Sequence, residues 1–403
     1  MESVFFDFDG DNDLDLFVVS GGNEFEEYSS YYADRLYIND GKANFIKHES
    51  DILKKYPKSG KSVTIIDYDK DGDKDIIVGN RIIPKNYPKY AASTVYENVN
   101  GTLKDVTKNI APDLLDYGII NSLVTTDYNN DGWLDFIAVG EWAGIGFFKN
   151  NRGTFSYEKN TSDLLNEKGW WYSVNETDIN NDGLKDYIVG NIGLNIKFKA
   201  NSKNPFKINA TDFDGNGTHD IVLSKQYNGE YVPVRGRQCS SEQMPFIKEK
   251  FKTYTDFAHA SLDDIYGEKL NTSYAKEATN FSSLLLVNQG DGKFKKTVLP
   301  IEAQSFPLLK TVFHDLNNDG FKDAILAGNI YNTEVETPRL DAISGIVLIS
   351  NQKDGYNFLP YTESGLYLDG NIKSIEKIIL SDDTPILIST RNNGPLEVHS
   401  INQ

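Results

Sequence analysis

A nine-residue motif recurs six times along the chain and constrains its fold more than any other feature. It reads Asp-x-[Asp/Asn]-x-[Asp/Asn]-Gly-x-x-Asp, and a short apolar run follows each copy. Alternate side chains of such a loop point inward, and Gly at position 6 allows the positive φ of a sharp turn. Asn12 holds position 6 in the first copy, and Asn replaces Gly well in the left-handed region. The pattern predicts a repeat protein built from buried β-strands.

The loops are predicted Ca²⁺ sites. Side chains at positions 1, 3, 5 and 9, with the backbone carbonyl of position 7, supply the oxygen shell that Ca²⁺ prefers. Five carboxylates lie within each of the first two copies, which is unfavourable without a cation. We therefore expect up to six structural Ca²⁺ ions. The predicted ligand positions are Asp7, Asp9, Asp11, Asp13 and Asp15; Asp67, Asp69, Asp71, Asp73 and Asp75; Asp127, Asn129, Asp131, Trp133 and Asp135; Asp178, Asn180, Asp182, Leu184 and Asp186; Asp212, Asp214, Asn216, Thr218 and Asp220; and Asp315, Asn317, Asp319, Phe321 and Asp323.

Two other interpretations of the motif were weighed. An EF-hand needs a bidentate Glu at position 12, and this position is apolar in every copy, namely Val18, Val78, Ala138, Val189, Leu223 and Leu326. Asp, Asn and Gly can also serve only as turn formers between strands. For one copy that alternative is as good as metal binding, and the repetition favours metal.

Composition narrows the class of protein. The chain is 39% hydrophobic with 23 Tyr and 22 Phe, enough for a folded β-rich core. A net charge of −18 argues against nucleic acid as a partner. The single cysteine, Cys239, excludes an internal disulfide. No apolar run is long enough to span a membrane.

The sequence resembles the FG-GAP or VCBS repeat family, the calcium-loop propellers also found in integrin α-chains. The Asp-rich loop, apolar strand and closing Gly, as in the stretch from Asp67 to Asn80, carry the resemblance. Within the family the chain looks most like large secreted bacterial repeat proteins associated with UnbV/ASPIC-type domains. Four segments support this second likeness: Gly169-Trp170-Trp171, Val189-Gly190-Asn191, Pro233-Val234-Arg235-Gly236-Arg237 and Glu334-Val335-Glu336.

The implied fold is an all-β propeller of seven blades, with eight kept open, forming a single domain over residues 1–403. Starts of successive loops are 60, 60, 51, 34 and 103 residues apart, and the last interval needs an extra element. We place a partly helical insertion at 225–285 and a degenerate last blade without a metal loop at 366–403. Ring closure is expected to pair the strand near Leu396 to Ser400 with the N-terminal blade.

Candidate ligand-binding residues follow the closing glycines or lie in the insertion. The first group is Arg81, Glu141, Trp142, Asn191 and Asn329, and the second is Arg235 and Arg237. Polar and aromatic groups from different blades can converge on a glycan or peptide. In the alternative interpretation Asn caps turns, Trp142 fills core, and the arginines only form salt bridges.

The favoured function is a binding or adhesion module for a glycan or protein partner, without catalysis. The alternative is a polysaccharide-active enzyme such as a lyase. Cytosolic Ca²⁺ is too low to fill extracellular-type sites, so we expect an extracytoplasmic location, secreted or at the cell surface. Because the first loop already begins at Asp7, the sequence is expected to be part of a longer protein, without its signal peptide and with flanking domains as possible partners.

Overall fold

The structure is a computed structural model that describes residues 1–159, 162–334 and 336–401. Antiparallel sheets dominate these residues. Sheet 1 contains β1 (Ser3–Phe6), β2 (Asp15–Val18), β3 (Arg35–Asn39) and β4 (Phe45–His48). Sheet 2 contains β5 (Ser59–Ile66), β6 (Asp75–Ile82), β7 (Thr94–Val99) and β8 (Thr102–Asp105). Sheet 3 contains β9 (Ser122–Thr126), β10 (Asp135–Val139), β12 (Gly146–Asn150) and β13 (Phe155–Tyr157), and β11 (Glu141–Ala143) pairs separately with β14 (Gly169–Trp170).

The remaining strands form four sheets. Sheet 4 contains β15 (Ser173–Thr177), β16 (Asp186–Gly190), β21 (Leu284–Asn288) and β22 (Phe294–Val298). The inserted sheet contains β17 (Phe206–Thr211), β18 (Asp220–Tyr227), β19 (Glu230–Pro233) and β20 (Tyr274–Ala278). Sheet 5 contains β23 (Lys310–His314), β24 (Asp323–Ala327), β25 (Ile346–Ser350) and β26 (Tyr356–Leu359). Sheet 6 contains β27 (Ile372–Ile379), β28 (Pro385–Arg391) and β29 (Glu397–Ser400).

Helices are short. They are α1 (Asp51–Lys55), α2 (Thr107–Ile110), α3 (Ser162–Leu165), α4 (Arg237–Gln243), α5 (Phe246–Lys250), α6 (Tyr254–Ala258), α7 (Leu262–Tyr266), α8 (Glu268–Thr272) and α9 (Tyr361–Ser364), with 3-10 turns at Ser30–Tyr32, Pro112–Asp116 and Ile301–Gln304. None of those described has both the length and the apolar character needed to cross a bilayer.

Sheets 1 to 5 share one plan. The first strand runs into an Asp-rich loop, and the apolar run after the loop becomes the second strand. In β10, β16 and β24 every residue of this second strand is buried. Both faces of these strands are covered by neighbouring sheets, which explains why their sequences are continuously apolar rather than alternating.

Apolar clusters join consecutive sheets. Because side chains alternate along a strand, Ile76 packs in the cluster between sheets 1 and 2 while Ile77 packs in the cluster between sheets 2 and 3. Similar clusters lie between sheets 3 and 4, 4 and 5, and 5 and 6. The first strands β1, β5, β9, β15, β23 and β27 also contact one another in series. Sheets 1 to 6 are therefore stacked in chain order.

Closing glycines lie against the backbone of the segments that lead into first strands. A Cβ atom on Gly140 would lie 1.7 Å from the carbonyl oxygen of Ile119, and one on Gly328 would lie 2.1 Å from that of Pro307. Only Gly fits such a backbone contact.

The fifth Asp-rich loop does not belong to this series. Ile188 of β16 pairs directly with Leu285 of β21, so the chain between these strands is inserted into sheet 4. This segment holds the inserted sheet, with loop five between β17 and β18, and all of α4 to α8. The inserted segment thus begins well before residue 225, although its helices lie within 225–285. Among the described residues six sheets, rather than seven, follow one another by first-strand contact.

The C-terminal end also differs from expectation. Sheet 6 has a plain turn between β27 and β28, where Thr384 donates its backbone N–H to Asp382 Oδ1 at 3.1 Å. Strand β29 pairs with β28, and β1 pairs with β2. The predicted pairing of residues near 396–400 with the N-terminal sheet is not seen in the described part of the chain.

Candidate functional site

The Asp at position 9 of each loop is a buried hydrogen-bond acceptor. In the first loop Asp15 accepts the N–H of Phe8 at 2.8 Å and the N–H of Asn39, on the third strand, at 2.9 Å. Its counterparts in loops two, four and six accept the same two backbone groups. Position 9 in all six loops is at most 2% exposed, the residues being Asp15, Asp75, Asp135, Asp186, Asp220 and Asp323. This carboxylate ties the loop to the sheet whether or not an ion binds.

Elsewhere in each loop, side-chain oxygens accept hydrogen bonds from backbone N–H groups of the same loop. In the third loop Asp127 accepts the N–H groups of Asp131 and Gly132 at 3.0 and 2.8 Å, and Asp131 accepts the N–H of Trp133 at 3.0 Å. The position 7 residues Asp13, Asp73, Trp133, Leu184, Thr218 and Phe321 all donate in this way to position 5. Asn12 has φ of 70°, which confirms its predicted left-handed conformation.

Position 4 is also left-handed, which the sequence pattern did not predict. Lys70, Asn130, Asn181 and Asn318 have φ between 56° and 63°, and Gly10 and Gly215 hold the position in the other two loops. An Asn or Gly at position 4 in five of the six copies was the available signal.

Carboxylate oxygens converge in three of the six loops. One oxygen from each member lies within 4.8 Å of the others in the groups Asp7–Asp9–Asp15, Asp67–Asp69–Asp71 and Asp212–Asp214–Asp220. Three hard oxygen ligands at such separations fit a Ca²⁺ ion. A buried oxygen of Asp67, Oδ1, has no hydrogen-bond partner among the described residues, as expected of an atom that faces a cation. The donor set therefore fits the implied metal.

Loops three, four and six lack a carboxylate at position 3. Each has Asn at position 3, and its amide donates to a carboxylate of the same loop. Asn129 Nδ2 lies 3.1 Å from Asp135 Oδ2, and Asn180 Nδ2 lies 2.8 Å from Asp182 Oδ2. A neutral donor thus occupies part of the space that a third carboxylate has in the other loops.

Burial shapes the electrostatics of the loops. Burial, opposed by backbone hydrogen bonds and reinforced by neighbouring carboxylates, raises the pKa of Asp75 and of Asp135 to about 7 and that of Asp186 to about 6. For Asp69, burial and the charges of Asp71 and Asp67 raise the pKa. A bound divalent cation would oppose these shifts by favouring the ionised carboxylates.

An Asn at the end of the third strand links each loop to the preceding one. The Nδ2 of Asn98 donates to Phe8 O, that of Asn150 to Tyr68 O, and that of Asn288 to Tyr128 O, each at 2.8 Å. The acceptor is always position 2 of the loop before. Sequence reasoning missed these residues, although a Gly two or three positions later was a usable signal. The loops of sheets 1 to 4 form one hydrogen-bonded series.

Two predicted ligand-binding residues come together away from the loops. Arg81 Nη2 lies 2.6 Å from Glu141 Oε1, and Tyr87 donates to Glu141 Oε2 at 2.6 Å. Trp142 Nε1 donates to the Tyr87 hydroxyl at 2.6 Å. Glu141 is 7% exposed; burial opposes its ionisation, but the Arg81 charge and the Tyr87 hydrogen bond outweigh it and lower its pKa. We call Arg81, Tyr87, Glu141 and Trp142 the arginine cluster.

Two features of the arginine cluster were not predicted from the sequence, namely the presence of Tyr87 and the backbone conformation of Trp142. Tyr87 comes from the β6–β7 connection and carried no motif. Trp142 has φ of 61° and lies at a bulge of β11, which is a strained conformation for a bulky residue. Its ring is 4% exposed and packs on Trp170 and Phe206, so most of its surface serves the core.

The other predicted ligand-binding residues are dispersed. Asn191 is fully buried and Asn329 nearly so, and their amides donate to the backbone carbonyls of Asn280 and Gly370 at 3.1 and 2.7 Å. Arg235 contacts Gln243 at 3.2 Å, and Arg237 donates to Phe251 O at 2.7 Å, both within the inserted segment. These four residues do not meet the arginine cluster through any described hydrogen bond. In the segment Glu334-Val335-Glu336, Val335 lies outside the described residues.

Comparison with known protein families gives a match over part of the chain. A model of the FG-GAP-like repeat matches residues 7–78 and 127–189. No curated protein sequence matches the chain. The association with UnbV/ASPIC-type domains is not confirmed by any match.

Two solved structures are similar at a low level. One is the crystal structure of the V. cholerae biofilm matrix protein Bap1, at TM-score 0.35 and 10% identity, covering 100% of this chain and 87% of that one. The other is BBS1N in complex with ARL6DN, at TM-score 0.33 and 9% identity, covering 100% and 91%. Neither likeness is strong enough to carry an argument about this chain. The loops at Asp7 to Asp15, Asp67 to Asp75, Asp127 to Asp135 and Asp178 to Asp186 lie inside the matched stretches, so the chain contains FG-GAP-like repeats.

Proposed function

We propose that this chain is a calcium-stabilised β-propeller that acts outside the cytoplasm as a binding or adhesion module for a glycan or a protein. The FG-GAP-like repeats support this, because they are typical of such modules. Sheets 1 to 6, stacked face to face with their first strands in contact, would be its blades, and the inserted sheet would sit beside them.

Calcium has a structural role in this proposal. The carboxylate groups of loops one, two and five would hold the ion, and loops three, four and six would bind it more weakly. Sites of this open kind fill at roughly 0.1–1 mM Ca²⁺, a range found outside the cytosol. This supports a secreted or cell-surface location.

The arginine cluster carries the proposal of a ligand site. Glu141 holds Nε and Nη2 of Arg81, while Nη1 has no hydrogen-bond partner within the described part of the chain. The Arg81 side chain is 37% exposed. A guanidinium held rigidly on one edge and open on the other is well suited to recognise a carboxylate or sulfate group.

The test is a binding screen against glycans and extracellular proteins in about 1 mM CaCl₂ and in excess EGTA. We expect a ligand whose affinity falls at least about tenfold in Arg81→Gln, with the melting temperature of the variant used to confirm folding. Failure to find any ligand, or full binding by a folded Arg81→Gln, would contradict the proposed site.

We further propose that binding is not followed by catalysis. The alternative, a polysaccharide lyase, predicts new ultraviolet absorbance from unsaturated products when the chain is incubated with acidic polysaccharides. Calcium-dependent appearance of that absorbance, abolished by Tyr87→Phe, would establish the enzyme instead. Flanking domains of a longer chain are the other partners to include in the screen.

A further inference from the structure

The β2–β3 connection presents an exposed aromatic surface. Tyr31 is 70% exposed and its ring stacks on Phe25 at 4.2 Å between centroids. Tyr28, in the same connection, lies 6.0 Å from Tyr56 at the end of α1, and both are more than half exposed. We call Phe25, Tyr28, Tyr31 and Tyr56 the aromatic platform. Clustered exposed rings are uncommon on a soluble surface unless they bind something.

The platform is held rigidly. Beneath it Tyr32 is 2% exposed, and its hydroxyl accepts the N–H of Phe25 at 2.8 Å and donates to the carbonyl of Phe25 at 3.1 Å. The Asn23 side chain accepts the N–H of Lys85 at 2.6 Å, which ties the connection to sheet 2. Tyr28 has φ of 62°, a conformation that a Tyr keeps only where its surroundings enforce it. The rings are therefore preorganised, which lowers the entropy lost on binding.

A basic cleft adjoins the platform. A cavity of about 490 Å³ is lined by Tyr31, Arg35, Lys47, His48, Lys54 and Asp34, among others. Arg35 forms no ion pair in the described part of the chain, while Lys47 and Lys54 share Glu49. Burial raises the pKa of Asp34 to about 7, so its carboxyl is only partly ionised near neutral pH. The cleft is positively charged although the chain carries a net charge of −18.

We propose that the aromatic platform and the basic cleft together bind an acidic glycan, a chain of sugars that carries carboxylate groups. The apolar C–H faces of pyranose rings stack on exposed aromatic rings, whose faces are negatively polarised. Tyr31 lies on the boundary, so a sugar stacked on it places a neighbouring carboxylate at Arg35 and Lys47. The inference rests on the proposed binding function and names its ligand class.

One observation favours a glycan over a protein at this surface. The connection from residue 22 to 32 combines its aromatic rings with three Glu and two Ser, and these two residue types are depleted in protein–protein interfaces. Two of the glutamates are engaged, Glu26 with Lys85 and Glu24 with the N–H of Asn23.

Calorimetric titration with short oligogalacturonate, its methyl ester and poly-glutamate, all at one CaCl₂ concentration, tests the proposal. We expect binding of the acid form alone, weakened about tenfold by Tyr31→Ala and by Arg35→Gln. Tyr31→Phe keeps the ring and should retain most of the affinity. Matched controls are Tyr361→Ala, with the same 70% exposure on α9, and the exposed Lys353→Gln.

Three results would overturn the proposal: equal loss in the controls, equal binding of poly-glutamate, or unchanged binding in folded Tyr31→Ala and Arg35→Gln. In the last case, loss of binding in Arg81→Gln would leave the proposed function standing and place the glycan at the arginine cluster. Absence of binding by any acidic glycan overturns the inference, and only a negative screen of proteins as well would overturn the proposed function.

Discussion

Replacing Asp69 by Asn converts the second loop into the type seen in loops three, four and six. Asp69 belongs to the carboxylate group Asp67–Asp69–Asp71, whose oxygens lie within 4.8 Å of one another. In the third loop the equivalent Asn129 donates to Asp135 at 3.1 Å. The substitution therefore removes one negative charge and one predicted Ca²⁺ ligand at the same point.

Two effects follow, and they depend on calcium in opposite ways. Without calcium, two like-charge pairs whose oxygens lie within 4.8 Å disappear. Each is worth about 1 kcal/mol in a solvent-exposed loop, so the variant should be more stable by roughly 1–2 kcal/mol. With about 1 mM Ca²⁺, a site that weakens from about 0.1 to about 1 mM loses most of its contribution, which falls from about 1.4 to about 0.4 kcal/mol. Asp69→Asn should thus melt higher in EGTA and gain less from calcium.

The assay is thermal unfolding followed by circular dichroism, with each variant measured in EGTA and in CaCl₂. Asp73→Asn is the matched control, because it removes a charge from the same loop but offers Ca²⁺ only its backbone carbonyl; its side chain accepts the N–H of Asn100 at 2.9 Å. The control should keep the full calcium increment. The loops are not the proposed metal sites if Asp69→Asn also keeps the full calcium increment, or if the melting temperature of the wild type is the same in EGTA and in CaCl₂.

Three further predictions concern other parts of the molecule. Asn150→Ala removes the 2.8 Å hydrogen bond to Tyr68 O and should lower the free energy of unfolding, measured in urea, by about 3 kcal/mol. The amide of Asn39 donates only within its own sheet, so Asn39→Ala should lower that free energy by about 1 kcal/mol. The pKa of Asp34 is raised to about 7, so the folded chain retains a proton that the unfolded chain releases from about pH 4 upward. The free energy of unfolding should therefore fall between about pH 4 and 7. Asp34→Asn should remove up to about 4 kcal/mol of that fall, measured by urea unfolding at a series of pH values. Glu141→Gln should cost about 1–2 kcal/mol and weaken ligand binding, since Arg81 loses its charged partner; an unchanged melt and affinity would contradict this.

Local features were readable from the sequence because they depend on neighbouring residues. The six loops, the left-handed Asn12 and the strands that follow each loop all derive from alternation and turn chemistry within about ten residues. The position 9 carboxylates were also found, although their role is broader than metal binding. Asp15 accepts a backbone amide from the third strand, a contact that no spacing rule anticipates.

Long-range partners were not readable in the same way. Arg81 and Glu141 were chosen separately as residues after a closing Gly. Only the tertiary fold brings Arg81 Nη2 and Glu141 Oε1 to 2.6 Å and adds Tyr87. The fifth loop has the same motif as the others, yet it lies in an inserted sheet because β16 pairs with β21 rather than with β17. Loop spacing alone does not distinguish these two pairings.

The sequence by itself determined that this is a repetitive β-protein with oxygen-rich loops, because a nine-residue loop and its flanking strands carry their own conformational preferences. Tertiary structure alone decided which sheet stands outside the stacked series and which aromatic side chains remain exposed beside a basic cleft. These depend on contacts between residues far apart in the chain, and the strength of such contacts is set by burial and distance rather than by local pattern.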